Sequence, residues 1–218
     1  MNIWDVLGSP AWGAVESLGT AATVGVAAWA AYQARISSSR LASIESQRRH
    51  SELCPRFNVT CERFNPGSDR LRMRVMLLGP SGLDRLDRLT IVVRNDHFRR
   101  GEGYLNPAGP SAEEIRQHIW GPYRFVPGTG PDDAQADTTG RETVYEDQLP
   151  VGEELPYEME PTGPGHWMTG TTPEQWRNER GNVIRLGFAA EHAEHGMWYL
   201  PCEIDVANMP ATVKVGWA

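Results

Sequence analysis

The chain has 218 residues, of which 40% are hydrophobic and 22% charged, enough apolar material for a packed core and too much for wholesale disorder. A net charge of −7 and a pI near 5.4 argue against a nucleic-acid-binding chain, which needs a basic balance, so no nucleic-acid partner is expected. The charge is uneven, with +1 over 1–50, +3 over 51–110 and −11 over 111–218, so the acidity belongs to the second half.

Residues 1–12 read as an N-terminal interfacial segment ending at Trp12. No charge falls between Glu16 and Arg35. A helix over Gly13 to Ala34 would be about 33 Å long, which matches a hydrocarbon core of about 30 Å. Trp12 stands at one end of it, and Trp29 and Tyr32 near the other, as an interfacial belt would have them. The expectation is therefore a transmembrane helix over 13–34 with the lipid bilayer as its partner. The run is weak, because Ala and Gly dominate it, and a buried Ala-rich helix is the alternative. Arg35, Arg40, Arg48 and Arg49 follow the run and no basic residue precedes it. The positive-inside rule then gives a single-pass protein of the cell membrane with its C-terminal domain in the cytoplasm. Residues 35–54 lack Pro and Gly and place Ile36, Leu41 and Ile44 at loosely helical spacing, which predicts a solvated helical stalk ending at Pro55.

From Pro55 the period changes to two. Phe57, Val59 and Cys61 alternate with polar residues, as do Leu71, Met73, Val75 and Leu77, and then Leu89, Ile91 and Val93. Such alternation marks half-buried antiparallel strands, with arginines on the wet face. Ser111-Ala-Glu-Glu114 and Thr172-Pro-Glu-Gln175 are capping boxes that open short helices over 112–119 and 173–180. Between them, 127–147 reads as a long mobile acidic loop. Val183–Ala190 and Met197–Val206 form a hairpin with Glu191–Gly196 as an exposed tip, and Pro201 sends the second strand to an edge or a bulge. Residues 207–218 read as a loose tail. The organisation expected is thus 1–12, 13–34, 35–54, a β-sandwich domain over 55–206, and the tail.

The Leu71–Asn95 stretch resembles the early strands of immunoglobulin-like sandwiches, with a Gly-Pro turn between two alternating runs. The arrangement as a whole resembles uncharacterised single-pass, membrane-anchored proteins of actinobacteria and their phages. Ile119-Trp-Gly-Pro-Tyr-Arg-Phe125, Trp176-Arg177 and Leu200-Pro-Cys-Glu-Ile204 carry that resemblance. It implies a mainly β protein, an antiparallel immunoglobulin-like β-sandwich with a long N-terminal helix and short helical insertions. It implies no activity.

Chemistry is thinly signalled. Cys54, Cys61 and Cys202 are odd in number and form no C-x-x-C motif; Cys61 and Cys202 read as small core residues. His192 and His195, with Glu191 and Glu194, are the best metal-like cluster, but no third ligand is near in sequence, and zinc needs three or four. His97, His118 and His166 have no matching partner spacing. There is no G-x-S-x-G and no P-loop, and Gly128-Thr-Gly130 lacks a βαβ context. The pairs Glu113-Glu114, Asp132-Asp133 and Glu153-Glu154 are adjacent in sequence, so on extended chain they point apart. No catalytic, cofactor-binding or metal residue is assigned, and no cofactor. Of the aromatics Trp120, Tyr123, Phe125, Trp167, Trp176, Trp198 and Tyr199, most read as core and one or two as an exposed anchor for a protein partner.

The functional expectation is a non-catalytic, membrane-anchored interaction or sensing module, with a protein partner and self-association left open. Two alternatives stand beside it. One is a metal-dependent hydrolase using His192 and His195. The other is an exclusion or immunity membrane protein encoded by a phage or mobile element.

Overall fold

A computed structural model describes residues 32–33, 35–38, 40–95, 109–131 and 134–217. The chain divides into two units, 1–51 and 52–218. In the first unit, 32–33, 35–38 and 40–51 are helical, and Leu41 and Ile44 are 66% and 60% exposed. Among the described residues no helix is long and apolar enough to cross a membrane. The expected interfacial segment 1–12, and residues 13–31 and 34 of the expected span, lie outside the described residues. The assignment of a single-pass protein of the cell membrane with a cytoplasmic C-terminal domain therefore does not stand. The physical reason is compositional: Ala and Gly add little transfer free energy per residue, and the run has few Leu, Val or Ile to make up the difference.

The second unit is mainly β, antiparallel throughout, with few helices. Its strands are β1 (Arg56–Arg63), β2 (Leu71–Gly79), β3 (Arg85–Leu86), β4 (Arg88–Val93), β5 (Tyr123–Phe125), β6 (Glu142–Tyr145), β7 (Leu149–Pro150), β8 (Glu154–Pro161), β9 (Val183–His192), β10 (Gly196–Asp205) and β11 (Ala211–Val215). Two short helices, α1 (Ala112–Gln117) and α2 (Pro173–Arg180), interrupt them. One sheet has the order β11-β1-β2-β8-β5, a second β10-β9-β4-β6, and β3 and β7 make a small ribbon.

The alternation read from the sequence places the core. Every second residue of β2 is buried, from Leu71 through Met73 and Val75 to Leu77. β9 does the same with Ile184, Leu186, Phe188 and Ala190. The buried faces of both sheets form one hydrophobic cluster, and Phe57 of β1 packs on Phe188 of β9 with ring centroids 5.3 Å apart. Each large apolar side chain removed from water in this way contributes about 1.5–3 kcal/mol.

The wet face of the five-stranded sheet is an ionic lattice. Arg74 lies 3.0 Å from Glu62 and 3.4 Å from Glu154, and Arg124 lies 2.7 Å from Glu160. Arg72 stacks over Phe64 at 4.7 Å. The basic excess of the early strands is thus set against carboxylates across the sheet. These pairs are exposed or partly so, and the exposed ones are individually worth under about 1 kcal/mol.

Both helices begin at the capping boxes. The Ser111 hydroxyl accepts from Glu114 N–H, and the Thr172 hydroxyl from Gln175 N–H. Pro201 lies on β10, the edge strand of its sheet, where a missing N–H costs no ladder bond.

Two expectations change. Residues 207–218 are not a loose tail, because β11 pairs with β1 from Phe57↔Val215 to Cys61↔Ala211. Nor is 127–147 simply an open loop. It contributes β6, and Ala134, Ala136 and Thr143 are buried. Asp137 organises the turn before β6, accepting from Arg141 N–H at 2.7 Å and from the Thr139 hydroxyl at 2.6 Å. The Asp137 carboxylate is thus an acceptor for the turn.

Candidate functional site

The histidine cluster lies at the β9–β10 hairpin, as the sequence placed it; Ala193, Glu194 and Gly196 of the tip are exposed, but His192 is not. His192 closes β9 and is only 7% exposed. His195 stacks on it, with ring centroids 4.5 Å apart and planes 17° from parallel. Glu194 N–H donates to His192 Nδ1 at 3.1 Å. That bond engages Nδ1, one of the two ring nitrogens through which a histidine can hold a metal. Asp87 is close by but accepts from Ala193 N–H at 2.6 Å. That bond, with help from the charges of His192 and Arg85, holds the Asp87 carboxyl below its ordinary value against a small burial effect. Among the described residues no group of three or more His, Cys, Asp or Glu could hold a metal ion. The cluster is turn architecture, and nothing in it favours hydrolysis. Asp132, Asp133 and His97 lie outside the described residues. The Glu113–Glu114 pair is taken up by α1: Glu114 caps Ser111 N–H, and Glu113 binds Arg116 and Gln117.

The tryptophans gather where the sequence showed only separate aromatics. Trp120 and Trp176 are 1% and 0% exposed. Trp176 Nε1–H donates to the Thr162 hydroxyl at 2.9 Å, and that hydroxyl donates to the Gly121 carbonyl at 2.5 Å. His118 packs edge-on against Trp120, Trp167 and Trp176, at 4.7, 5.3 and 5.2 Å. The Arg180 guanidinium, at the end of α2, sits 4.0 Å over the Trp176 ring. Burial, then the positive charges of Arg180, Arg124 and Arg141, push the His118 imidazole down to about 4. The cluster fixes α2 and the segment after α1 to the sheet end. Its aromatics are packing residues, and Phe125 and Trp198, 1% and 5% exposed, are as well.

The exposed anchor is Tyr199. It stands on β10 with 76% of its surface open. The cross-strand register explains what it faces. Tyr199 pairs with Ala189, which pairs with Thr90 of β4, and in the next row Pro201 pairs with Gly187, which pairs with Val92. Residues opposite one another in register share a sheet face, so these six side-chain positions form one outer surface. Ala189 and Gly187 keep its floor low. Arg94 lies across Gly187, where an added Cβ would come within 3.4 Å of its Cδ. The result is a shallow, largely apolar groove of about 370 Å³, open to solvent. It offers an aromatic stacking plane, a phenolic hydroxyl, a guanidinium and a smooth floor, and no nucleophile or acid–base pair.

In the sequence Tyr199 is one of seven aromatics, of which one or two read as an exposed anchor. The signal was there in the alternation of β10, where Trp198 and Cys202 point in and Tyr199 therefore points out. A glycine in mid-strand, Gly187, was the second cue, since it marks close backbone approach. No family model, no curated protein and no solved structure matches the chain.

Proposed function

We propose that this protein is a non-catalytic binding module whose contact surface is the outer face of the β4-β9-β10 sheet. The observation that carries the reading is Tyr199, a large aromatic left 76% exposed beside a floor of Gly187 and Ala189. Tyrosine provides much contact area at small entropic cost, and an aromatic anchor beside a low apolar floor is the usual anatomy of a binding hot spot. The strand orders support an immunoglobulin-like sandwich as the scaffold. β1-β2-β8 on one side and β10-β9-β4-β6 on the other match strands A-B-E and G-F-C-C′ of that architecture in sequence order. β11 and β5 would then be additions at the two edges of the first sheet.

The test uses a displayed random-peptide library selected on the whole chain. Binders to the proposed face lose at least about tenfold in affinity for Tyr199→Asp and for Gly187→Leu, as expected when a single anchor or its floor is removed. The same binders tolerate Arg72→Ala, on the opposite sheet. Selected peptides that bind both face variants as well as the unaltered protein would sink the proposal.

A further inference from the structure

β10 ends its sheet, and the register shows which way its backbone faces. In β9 the carbonyls of Glu191 and Arg185 accept from Asp87 N–H at 2.9 Å and from Arg94 N–H at 2.8 Å. A strand residue points its N–H and C=O to the same side, so the odd-numbered residues of β9 bond towards β4 and the even-numbered ones towards β10. β10 pairs with β9 residue for residue, from Gly196↔His192 to Asp205↔Val183, even with even and odd with odd. The even residues of β10 therefore exchange bonds with β9. Val206 continues that series, and its N–H does reach back to the Asn182 carbonyl, at 2.8 Å. Met197, Tyr199, Pro201, Glu203 and Asp205 turn their backbone outward. Pro201 is thus placed where its missing N–H falls on the outer edge.

Among the described residues no strand pairs with that side, and β11, which follows β10, pairs with β1. The edge offers four N–H groups and five carbonyls, all from those five residues. Their side chains are also the exposed ones of β10, so edge and groove are built from the same positions.

We infer that the outer edge of β10 takes up an extended, basic segment of another polypeptide as an added strand. This names the partner of the proposed contact surface and rests on that reading. Outward donors and acceptors repeating at strand spacing are matched by an extended backbone. The residues of the added strand that bond to Tyr199 and Pro201 put their side chains on the same face as the Tyr199 ring, beside the floor of Gly187 and Ala189. Charge selects a basic partner. Residues 183–206 hold four carboxylates against one arginine, and that arginine, Arg185, is spent on Glu203 at 3.1 Å. A second copy fits poorly. Two-fold pairing of β10 with itself brings in two prolines without donors and doubles the carboxylates along one ladder.

The experiment takes peptides selected from a displayed random library on the whole chain and methylates their backbone nitrogens one at a time. An added strand predicts alternation: methylation on the side facing β10 weakens binding at least about fivefold, and methylation on the far side leaves it unchanged. The selected peptides should be enriched in Lys and Arg over the library. On the protein, Glu203→Pro removes an outward N–H and, like Pro201, leaves the β9 ladder intact. It should weaken binding at least about fivefold where Glu203→Gln, which removes only the charge, costs less. The methylation series is read on the unaltered protein and decides the matter even where Glu203→Pro does not fold. Peptides that lose affinity for Tyr199→Asp and Gly187→Leu but tolerate methylation at every position would overturn the added strand and leave the contact surface standing. Peptides that ignore both face variants, or a library that yields no binder, would overturn the contact surface and the strand with it. Selected peptides with no basic enrichment would overturn the partner's chemistry. A concentration-dependent dimer of the chain, abolished by Glu203→Pro, would give the edge to a second copy and overturn the inference as well.

Discussion

His118 carries the clearest single-residue consequence. Its imidazole sits among three indoles with the Arg180 guanidinium nearby, and burial followed by that charge holds it at about 4, against an ordinary 6.5. The unfolded chain therefore takes up a proton, below its own value, that the folded chain refuses. Stability rises with pH across that window and is lost as pH falls from about 6.5 towards 4. Between about pH 7 and pH 5 this one group costs at most about 2 kcal/mol, less the part that solvent screens at the open side of the ring. Urea unfolding at the two pH values should show that loss in the unaltered protein and much less of it in His118→Phe, which keeps a ring and does not titrate. An equal loss in both would assign the pH dependence to other groups. The same pocket shows why burial had to be seen directly. In sequence His118, like His97 and His166, has no partner spacing, and its three indole neighbours come from residues up to 58 positions away.

At the scale of elements, the segment 127–147 shows what a sequence of Gly, Thr and Asp can hold. Its turn depends on two residues. Gly140 has φ of +72° and its carbonyl accepts from Phe125 N–H at 2.8 Å. A Cβ there would run into the Phe125 carbonyl oxygen. Asp137 accepts from the Thr139 hydroxyl and from the backbone N–H groups of Glu142, Arg141 and Thr139. Partial burial alone would raise its carboxyl, but those bonds outweigh it and hold the group below its ordinary 3.8. The contribution is present above 3.8 and is lost as pH falls through the lowered value. Gly140→Ala should cost at least about 2 kcal/mol, because positive φ and the collision both act against it. Asp137→Ala, at an exposed position, should cost about 1 kcal/mol. Urea midpoints measure both. A smaller loss for Gly140→Ala than for Asp137→Ala would refute this account of the turn.

Over the whole second unit, the last strand completes the first sheet. β11 covers the edge of β1, Val215 is 3% exposed, and Trp217 lies between the Arg56 guanidinium at 4.7 Å and the Lys214 ammonium at 5.1 Å. Gly216 takes a φ of +79°, and a Cβ at that position would meet the Pro55 carbonyl. Ending the chain at Val206 removes a strand and one buried valine, and bares the backbone of β1. The loss should be about 3 kcal/mol or more, from burial alone, with self-association through the uncovered edge. Thermal unfolding and sedimentation of the truncated chain would show a lower midpoint and a rising mass. A truncated protein as stable and as monodisperse as the full chain would mean that β11 is dispensable.

Local signals carried far. The strands β1, β2, β4, β9 and β10 follow from period-two alternation, because the side-chain geometry of extended chain puts every second residue on one face wherever the strand is placed. Both helix starts follow from capping boxes, where donor and acceptor lie three residues apart. Pro201, which has no N–H for a central ladder, limits β10 to an edge or a bulge, and the sheet order makes it an edge. The same reasoning failed where the deciding contacts are distant in sequence. The aromatic pocket, Ala193 bonded to Asp87 106 residues away, and Arg177 paired with Asp69 108 residues away have no local signature. Residues 207–218 looked like a tail because five short residues of β11 carry too little pattern to announce a strand. Their pairing is decided by the open edge of β1, about 150 residues earlier. Tyr199 was visible in the sequence as an aromatic on a strand. That it is left in the open, over a floor made by Gly187 and Ala189, was decided by the register in which β10, β9 and β4 come together.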